Sequence, residues 1–537
     1  MEKDSNVNIT KNTYNINPIE LPKNIEQNLF DYNLDKYITD IKNVGLESTW
    51  DYICQFVAKN SKILPEILDT NNFGELYEIG LAIQNKILKK KSGQYYTPDD
   101  VAKIMSEWLL KSDGTAVCDV GCGTGKLIHT YLDLIGYEKA RELISSGNLY
   151  LYDIDRIALK ICKTSIAVKY GFDIVDFIHF ECCDFLNSEI VLPKDCKVIS
   201  NPPYAKFKNI PDCWKKTDVM FDTKEYYSAF MEKIFNQSNS TVIITPFSFV
   251  SGNKFYSLRK VMSEQGCGYI VSFDNVPGNI FHGKKHGIFN TNKSNSVRAS
   301  ITVFNKSNDK KGFKISPLIR FKNEEREKLL NTKILENTLP KDYQIVDKNH
   351  KKFEKVDENL TNIFKSWIKK SKFKVEDIIT KDDTKYFIDM PNTCRYFTTA
   401  SYHKLSRTGS IKINLSNSEE FSFLYCVINS SFAYWWWRIY DGGITYPVSL
   451  LNSMPLPLNL LSKEDKEYFK LMAQKLINKE QNYVTTKVNA NVPQENIKFP
   501  KEYRDEINER ILKILGFKLP ANIFNRVHAN CYFGEDN

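Results

Sequence analysis

The spacing of apolar residues changes along the chain and divides it. Residues 1 to about 20 are rich in Asn and lack apolar periodicity, whereas Ile25 to Lys90 reads as several helices and runs into Lys89-Lys90-Lys91. From Gly93 the pattern becomes short β-branched or aromatic runs separated by helical stretches. Seven runs read as strands: Ala116 to Val120, Asn148 to Tyr152, Phe177 to Glu181, Lys197 to Ser200, Thr241 to Thr245, Tyr269 to Phe273 and Arg298 to Phe304. After the second run, Ile157, Ala158, Ile161 and Cys162 fall on one helical face. Strands alternating with helices predict an α/β fold with a doubly wound, mostly parallel, seven-stranded Rossmann-like sheet. Such sheets bind ligands beyond the carboxyl ends of their strands.

Past Phe304 the alternation stops. Residues 306 to about 370 are lysine-rich and mixed in pattern, with Lys310-Lys311, Lys351-Lys352 and Lys369-Lys370, and read as a connecting region. Then come Tyr434-Trp435-Trp436-Trp437, a Gly442-Gly443 turn, a Pro455/Pro457 boundary and a closing helix through Ile507, Ile511 and Leu515. The expected organisation is a helical region over 1–92, a sheet domain over 93–315, a connector over 316–370 and an α+β domain over 371–537. With 537 residues, 42% of them hydrophobic, the chain can bury more than one core.

A net charge of +9 permits a polyanionic partner, although a solvated basic surface would give the same count. The start, Met1-Glu2-Lys3-Asp4-Ser5, lacks the regions of a signal peptide, and the apolar stretch Phe421 to Trp437 is broken by Asn429, Ser430 and Ser431. A cytoplasmic protein without a membrane partner is expected. Twelve scattered cysteines without a paired Cys-x-x-Cys set predict free thiols and no metal.

Two segments carry the chemistry. In Asp119-Val120-Gly121-Cys122-Gly123-Thr124-Gly125 the glycines let the backbone turn sharply and approach a ligand. The spacing is neither G-x-G-x-x-G nor a Walker loop, since Val120 stands where the latter has its first glycine and Leu127 follows Lys126, so a phosphate-free nucleoside fits better. Asp153, ending the second strand, is placed to accept ribose hydroxyls, or is a surface acid before a helix. Asp184 is placed to accept an adenine amino hydrogen with Phe185 packed on the purine, or serves as a helix cap. Upstream, Thr97 and Pro98 read as the cap and first residue of a helix through Val101, Ile104, Met105 and Trp108.

The second segment is Ile199-Ser200-Asn201-Pro202-Pro203-Tyr204. An exocyclic amine on a purine is a poor nucleophile because its lone pair is delocalised into the ring, and acceptors aimed at its two hydrogens pull it toward tetrahedral geometry. Asn201 offers an amide carbonyl, and proline after it holds the backbone extended so that the Pro202 carbonyl can converge on the same point. Tyr204 adds a flat face. Asn-Pro is also a common turn starter.

In this order, these motifs resemble those of the γ-class of DNA adenine-N6 methyltransferases, over roughly residues 93 to 305. The resemblance implies S-adenosylmethionine as cofactor, held by Tyr95, Tyr96, Thr97, Asp119, Gly121, Gly123, Asp153, Asp184 and Phe185. It implies a target base flipped from double-stranded DNA and held by Asn201, Pro202, Pro203 and Tyr204, with Phe281 as the second stacking ring. Lys206, Lys208, Lys215, Lys216, Lys284 and Lys285 would meet phosphates, and Arg395 and Arg407 would meet DNA from a C-terminal target-recognition domain. A cognate restriction endonuclease is an implied partner. Ser200 stands where the family often has Gly, and the loop His286 to Ser296 is longer than usual. Asn-Pro-Pro-Tyr also serves enzymes that methylate a glutamine side chain on release factors, but those lack the more than 200 residues that follow the last predicted strand here. Two further readings are methylation of RNA and a DNA-binding modification subunit that needs a partner for activity.

Overall fold

The computed structural model describes residues 97–171, 173–282, 297–489 and 491–532. The expected N-terminal helical region, Tyr95, Tyr96, Lys284, Lys285 and the loop from His286 to Ser296 lie outside the described residues.

The strands are β1 (Ala116–Val120), β2 (Leu149–Asp153), β3 (His179–Cys182), β4 (Cys196–Ser200), β5 (Ser240–Pro246), β6 (Gly266–Phe273), β7 (Ala299–Lys306) and β8 (Gly312–Ile319). They form one sheet in the order β3-β2-β1-β4-β5-β7-β6-β8, in which β7 runs antiparallel to both neighbours and all other pairings are parallel. Every residue of β1 and β4 is buried, which is why each carries adjacent apolar residues, Ala116-Val117-Cys118 and Val198-Ile199, instead of a strict apolar-polar alternation.

Neighbouring residues on these strands face opposite layers. Val117, Ile199 and Val242 pack with Ile104 and Trp108 of α1 (Asp99–Leu110), Leu127 and Tyr131 of α2 (Lys126–Ile135), and Ile166 of α3 (Arg156–Tyr170). Cys118, Val198 and Ile243 pack with Phe230 and Ile234 of α4 (Tyr226–Gln237) and Leu258 of α5 (Tyr256–Gln265). Period-2 alternation with helices on both sides gives the expected doubly wound architecture.

The eighth strand is an addition. β8 lies inside the stretch read as mixed and connecting, where Lys314, Ser316 and Pro317 interrupt the apolar run, yet nearly all of it is buried against β6. Pro317 has no N–H to give the ladder, and the β6–β8 register shifts between Ile270 and Ser272 at that point. The Ser316 hydroxyl accepts the Ser272 N–H at 2.9 Å, a side chain standing in for a backbone acceptor. A second difference is that Val175–Phe177, whose last residue was expected to begin the third strand, forms a 3-10 turn.

The C-terminal part centres on α6 (Thr361–Lys370), α7 (Ser418–Ile428) and α8 (Ser431–Tyr440), with a small antiparallel sheet that includes Tyr386–Pro391 and Ser410–Leu415. Trp367 stacks on Trp435 at 5.8 Å, and Trp436 and Trp437 are buried, so the aromatic cluster makes this core. Asp274, just after β6, joins the two parts. Its buried carboxylate pairs with Arg298, just before β7, at 2.8 Å, with Arg320, just after β8, at 2.8 Å, and with Arg438 of α8 at 2.7 Å. Although burial pushes this carboxyl up, the three guanidiniums hold it below the usual carboxylate range. Among the described residues no helix is long and apolar enough to cross a membrane.

Candidate active site at the carboxyl edge of the sheet

β1 and β4 are parallel neighbours with Val120 opposite Ser200, so the glycine loop and Asn201 leave the sheet side by side. Gly121 has φ +73°, and a Cβ there would lie 3.8 Å from the Asn201 carbonyl oxygen. At Gly125, φ +91°, a Cβ would come within 2.4 Å of Cys162 Sγ, so the loop closes onto α3 only with glycine. Ser200, in place of the smaller residue, donates its hydroxyl to the Val120 carbonyl at 2.6 Å and ties the two strand ends together.

Asp119 is fully buried beneath this loop, and neither carboxylate oxygen meets a donor among the described residues. Burial, reinforced by the charge of Asp153, pushes its carboxyl well above the usual range, and the Ile128 amide, which makes no hydrogen bond to either oxygen, opposes them only weakly. Asp153 accepts the Gly123 N–H at 2.7 Å on one oxygen and the Asp155 N–H at 2.8 Å on the other. Burial pushes this carboxyl up to about 6 against those two amides. Each oxygen keeps a second lone pair for a ligand. A buried carboxylate of this kind beside an open glycine turn fits a ligand bearing cationic donors, and S-adenosylmethionine is one. Among the described residues no group of three or more His, Cys, Asp or Glu is arranged to hold a metal ion.

The expected pair Asp184 and Phe185 sits differently. Asp184 accepts the Leu186 N–H at 3.0 Å and the Trp214 indole N–H at 2.6 Å, and so fastens the loop after β4. Phe185 is only 3% exposed, packed against Tyr152 and Phe230 with Lys233 Nζ over its ring. Phe185 is thus a core residue, and its expected contact with a purine is a proposal that such packing does not favour. Sequence reasoning missed Ile154, a large apolar side chain left 71% exposed directly after Asp153. An isoleucine between two aspartates at a strand end was the available signal, because an exposed apolar residue beside a polar ligand site offers a flat body a place to rest.

Thr97 does not cap its helix. Pro98 occupies the cap position of α1 without a side-chain bond, and the Thr97 hydroxyl instead accepts Asn201 Nδ2 at 2.9 Å. Tyr204 donates its hydroxyl to Asn201 Oδ1 at 2.8 Å, with the Ile244 carbonyl 3.1 Å away as a second acceptor. Asn201 is half-buried and Pro202 buried. Tyr204 and Phe281 meet edge to face, with centroids 5.9 Å apart and planes at 64°. A base held between two parallel rings needs about 7 Å between them, twice a contact distance of roughly 3.5 Å. The expected sandwich is therefore shut, and one ring must swing before a base can enter.

Lys206, Lys208, Lys215 and Lys216 are exposed on the loop beyond Tyr204, with Lys206 3.7 Å from Glu225 and Lys216 3.0 Å from Asp212. Arg395 is exposed, while its carbonyl accepts from Arg320 and from the Tyr434 hydroxyl. Arg407 is half-buried, and three of its donors go to Gly409 O at 3.2 Å, Glu495 O at 2.9 Å and Thr393 Oγ1 at 2.6 Å, so it braces three segments of the protein.

A model of the N-6 DNA Methylase family matches residues 68–377. The methylase subunit of the type I restriction enzyme MpnII from Mycoplasma pneumoniae is 21% identical over 274 residues, 44% of this chain and 45% of that protein. The type II methyltransferase M.VspI from Vibrio sp. (strain 343) is 26% identical over 224 residues, 40% of this chain and 50% of that protein. The chain thus spans about half the length of the curated relatives it matches. Among solved structures, the type IIG restriction endonuclease BpuSI overlays 89% of this chain and 70% of its own, at 11% identity and a TM-score of 0.42.

Proposed function

The chain belongs to the N-6 DNA methylase family, and on that footing we propose that it is a site-specific DNA methyltransferase acting on N6 of an adenine flipped out of double-stranded DNA, within a restriction-modification or stand-alone modification system. One observation carries the proposal. Asn201 and the glycine loop, which covers a buried carboxylate that no donor meets among the described residues, leave adjacent strands at the same sheet edge. When bound, S-adenosylmethionine supplies an electrophilic methyl group.

The residues of the chain do the rest. Asp119 and Asp153 hold the cofactor's donors, with Ile154 beside them. Asn201 Oδ1 and the Pro202 carbonyl accept hydrogen bonds from the two amine hydrogens and stabilise the positive charge that develops on nitrogen as the methyl leaves the sulfonium, after which the surplus proton passes to solvent. Tyr204 and Phe281 hold the extruded ring, and base-to-aromatic stacking of about 1–3 kcal/mol per face offsets an unstacking cost of a few kcal/mol. The exposed lysines after Tyr204 lie on the loop that follows the base-holding segment and meet phosphates.

A relative named as a type I methylase subunit favours a second reading, in which the chain acts only with a specificity partner. Purified chain incubated alone with labelled S-adenosylmethionine and genomic DNA separates the two, since label in DNA excludes dependence on a partner. Asn201→Ala should lower turnover about 10²–10³-fold, by analogy with losing one preorganised polar group, and leave cofactor affinity unchanged. A matching loss of affinity would show that Asn201 holds the cofactor and not the base.

A further inference from the structure

Val484–Asn489 and Val492–Ile497 pair antiparallel as a sheet of two strands, with Lys487 opposite Gln494 and Asn489 opposite Val492. Two strands alone are marginally stable in water. This pair is fastened at its root, where the Glu495 N–H donates to the Ser406 carbonyl at 3.0 Å, the Glu495 carboxylate accepts the Ser406 N–H at 2.6 Å, and Gln494 Nε2 donates to Thr408 Oγ1 at 2.9 Å. Beyond the root, Thr486, Lys487, Val488, Asn489 and Val492 are exposed, Val488 at 73%. We infer that this hairpin lies in the major groove of double-stranded DNA and reads base pairs near the target adenine. The inference rests on the proposed reaction and names the element that gives it sequence specificity.

The hairpin is tied to the catalytic edge. Arg407 donates to the Glu495 carbonyl at 2.9 Å and to Thr393 Oγ1 at 2.6 Å, and two residues after Thr393 the Arg395 carbonyl accepts from Arg320, just after β8. β8 is parallel to β6, and β6 and β5 are both antiparallel to β7, so β8 ends at the edge from which Asn201 emerges after β4.

Charge points to a polyanion. Of the 537 residues 65 are Asp or Glu, yet none falls within 390–418, 442–463 or 481–494. The fold joins these three segments. Arg407 links the first to the hairpin, and Thr393 pairs with Thr445 of the second. Asp389, Asp441 and Glu495, which border the segments, accept the N–H groups of Leu405, Gly443 and Ser406. A surface assembled from acid-free segments is complementary to DNA.

Shape and chemistry point to base edges. The major groove, about 12 Å wide and about 8.5 Å deep, admits a two-stranded β-ribbon. At about 3.3 Å per residue, Thr486 to Asn489 reach about 13 Å, enough to meet its floor. Lys487 and Asn489 share one face of the ribbon, and Val488 lies on the other. Lysine suits guanine acceptors, the asparagine amide suits adenine, and an exposed valine suits a thymine methyl. With Lys487 the single cation beyond the root, the ribbon is poor in groups for phosphates.

The test uses the full chain, with its partner if one is needed, and duplex carrying the methylated motif found by sequencing DNA from cells that express the wild type. Lys487→Ala combined with Asn489→Ala should lower affinity for that duplex about 5–150-fold, with a smaller loss for duplex of unrelated sequence. S-adenosylmethionine affinity should be unchanged. Sequencing of modified adenines should show at least one position of the motif accepting more than one base pair. Unchanged affinity and motif would overturn the inference, as would an equal loss on both duplexes, which marks phosphate contact. A second measurement needs no variant: acylation of Lys487 in the wild type, mapped by mass spectrometry, should fall when the target duplex is added, and undiminished labelling overturns the inference too. A wild-type chain that never methylates DNA, with its partner or without, would instead overturn the underlying reading of function.

Discussion

Replacing Asp119 with Asn should stabilise the cofactor-free protein in alkaline buffer and weaken it as a cofactor binder. The carboxylate is fully buried, and neither oxygen is met by a donor among the described residues. Its folded pKa is raised above the unfolded value of about 4, so the wild type keeps full stability below that value and loses it as pH rises through the folded pKa. Each unit of elevation costs the ionised protein about 1.4 kcal/mol. The amide of the variant carries no charge and escapes this cost. The gain of Asp119→Asn over wild type should therefore grow as pH rises above the ordinary carboxylate range toward the raised folded pKa, by about 1–3 kcal/mol, the range for an unsatisfied buried group. For a cooperative unit of 150–250 residues that is roughly 2–4 °C in melting temperature per kcal/mol.

With S-adenosylmethionine present the order should reverse. Losing a hydrogen bond to a charged group, worth about 1.5–3 kcal/mol, weakens binding roughly 10- to 150-fold. Scanning fluorimetry of both proteins across pH, with and without cofactor, reads both effects. A difference in melting temperature that does not vary with pH, or an unchanged affinity, would refute the reasoning.

Three further outcomes are expected. Tyr204→Phe keeps the ring but releases Asn201 Oδ1, so it should bind the flipped base at least as well as wild type, whereas Tyr204→Ala should lose the emission change of 2-aminopurine at the target. Asp274→Ala leaves three buried guanidiniums without a counter-charge and should cost about 3–5 kcal/mol in urea denaturation at neutral pH. Because the Asp274 carboxyl is held below its ordinary range, that contribution is present at neutral pH and fades only as pH falls through the carboxylate range to the folded value, so the two proteins should converge there. Lys208 and Lys215 are exposed on the loop beyond Tyr204, and replacing both with Ala should lower the slope of log affinity against log salt by about 1–2.

The sheet is legible in the sequence wherever a strand is buried on both faces, because adjacent apolar residues then mark it, as Ala116-Val117-Cys118 do in β1, Val198-Ile199 in β4 and Val242-Ile243-Ile244 in β5. β8 is hidden because the Ser316 hydroxyl does the work of a backbone group, a substitution that no periodicity reports. The proximity of Asn201 to the glycine loop follows from motif order and the parallel-sheet rule. What the residues do there does not follow. Thr97 reads as a cap, and its partner lies 104 positions away. Phe185 reads as a purine platform, yet tertiary packing covers it. Arg407 reads as a reaching arm, although three of its donors are taken up within the fold. In each case the side chain's chemistry is visible and its neighbour is not.

The ion cluster at Asp274 has a mechanical consequence. A jaw-like opening between the sheet and the C-terminal helices would drag Arg438 away from a carboxylate that is inaccessible to water, so the two parts move as one body. On the proposed function, admission of a duplex then falls to surface loops and to the swing of one aromatic ring. By the same logic, a protease cut in the exposed turn at 347–350 would sever the chain but not the molecule, and the two halves would travel together through a sizing column.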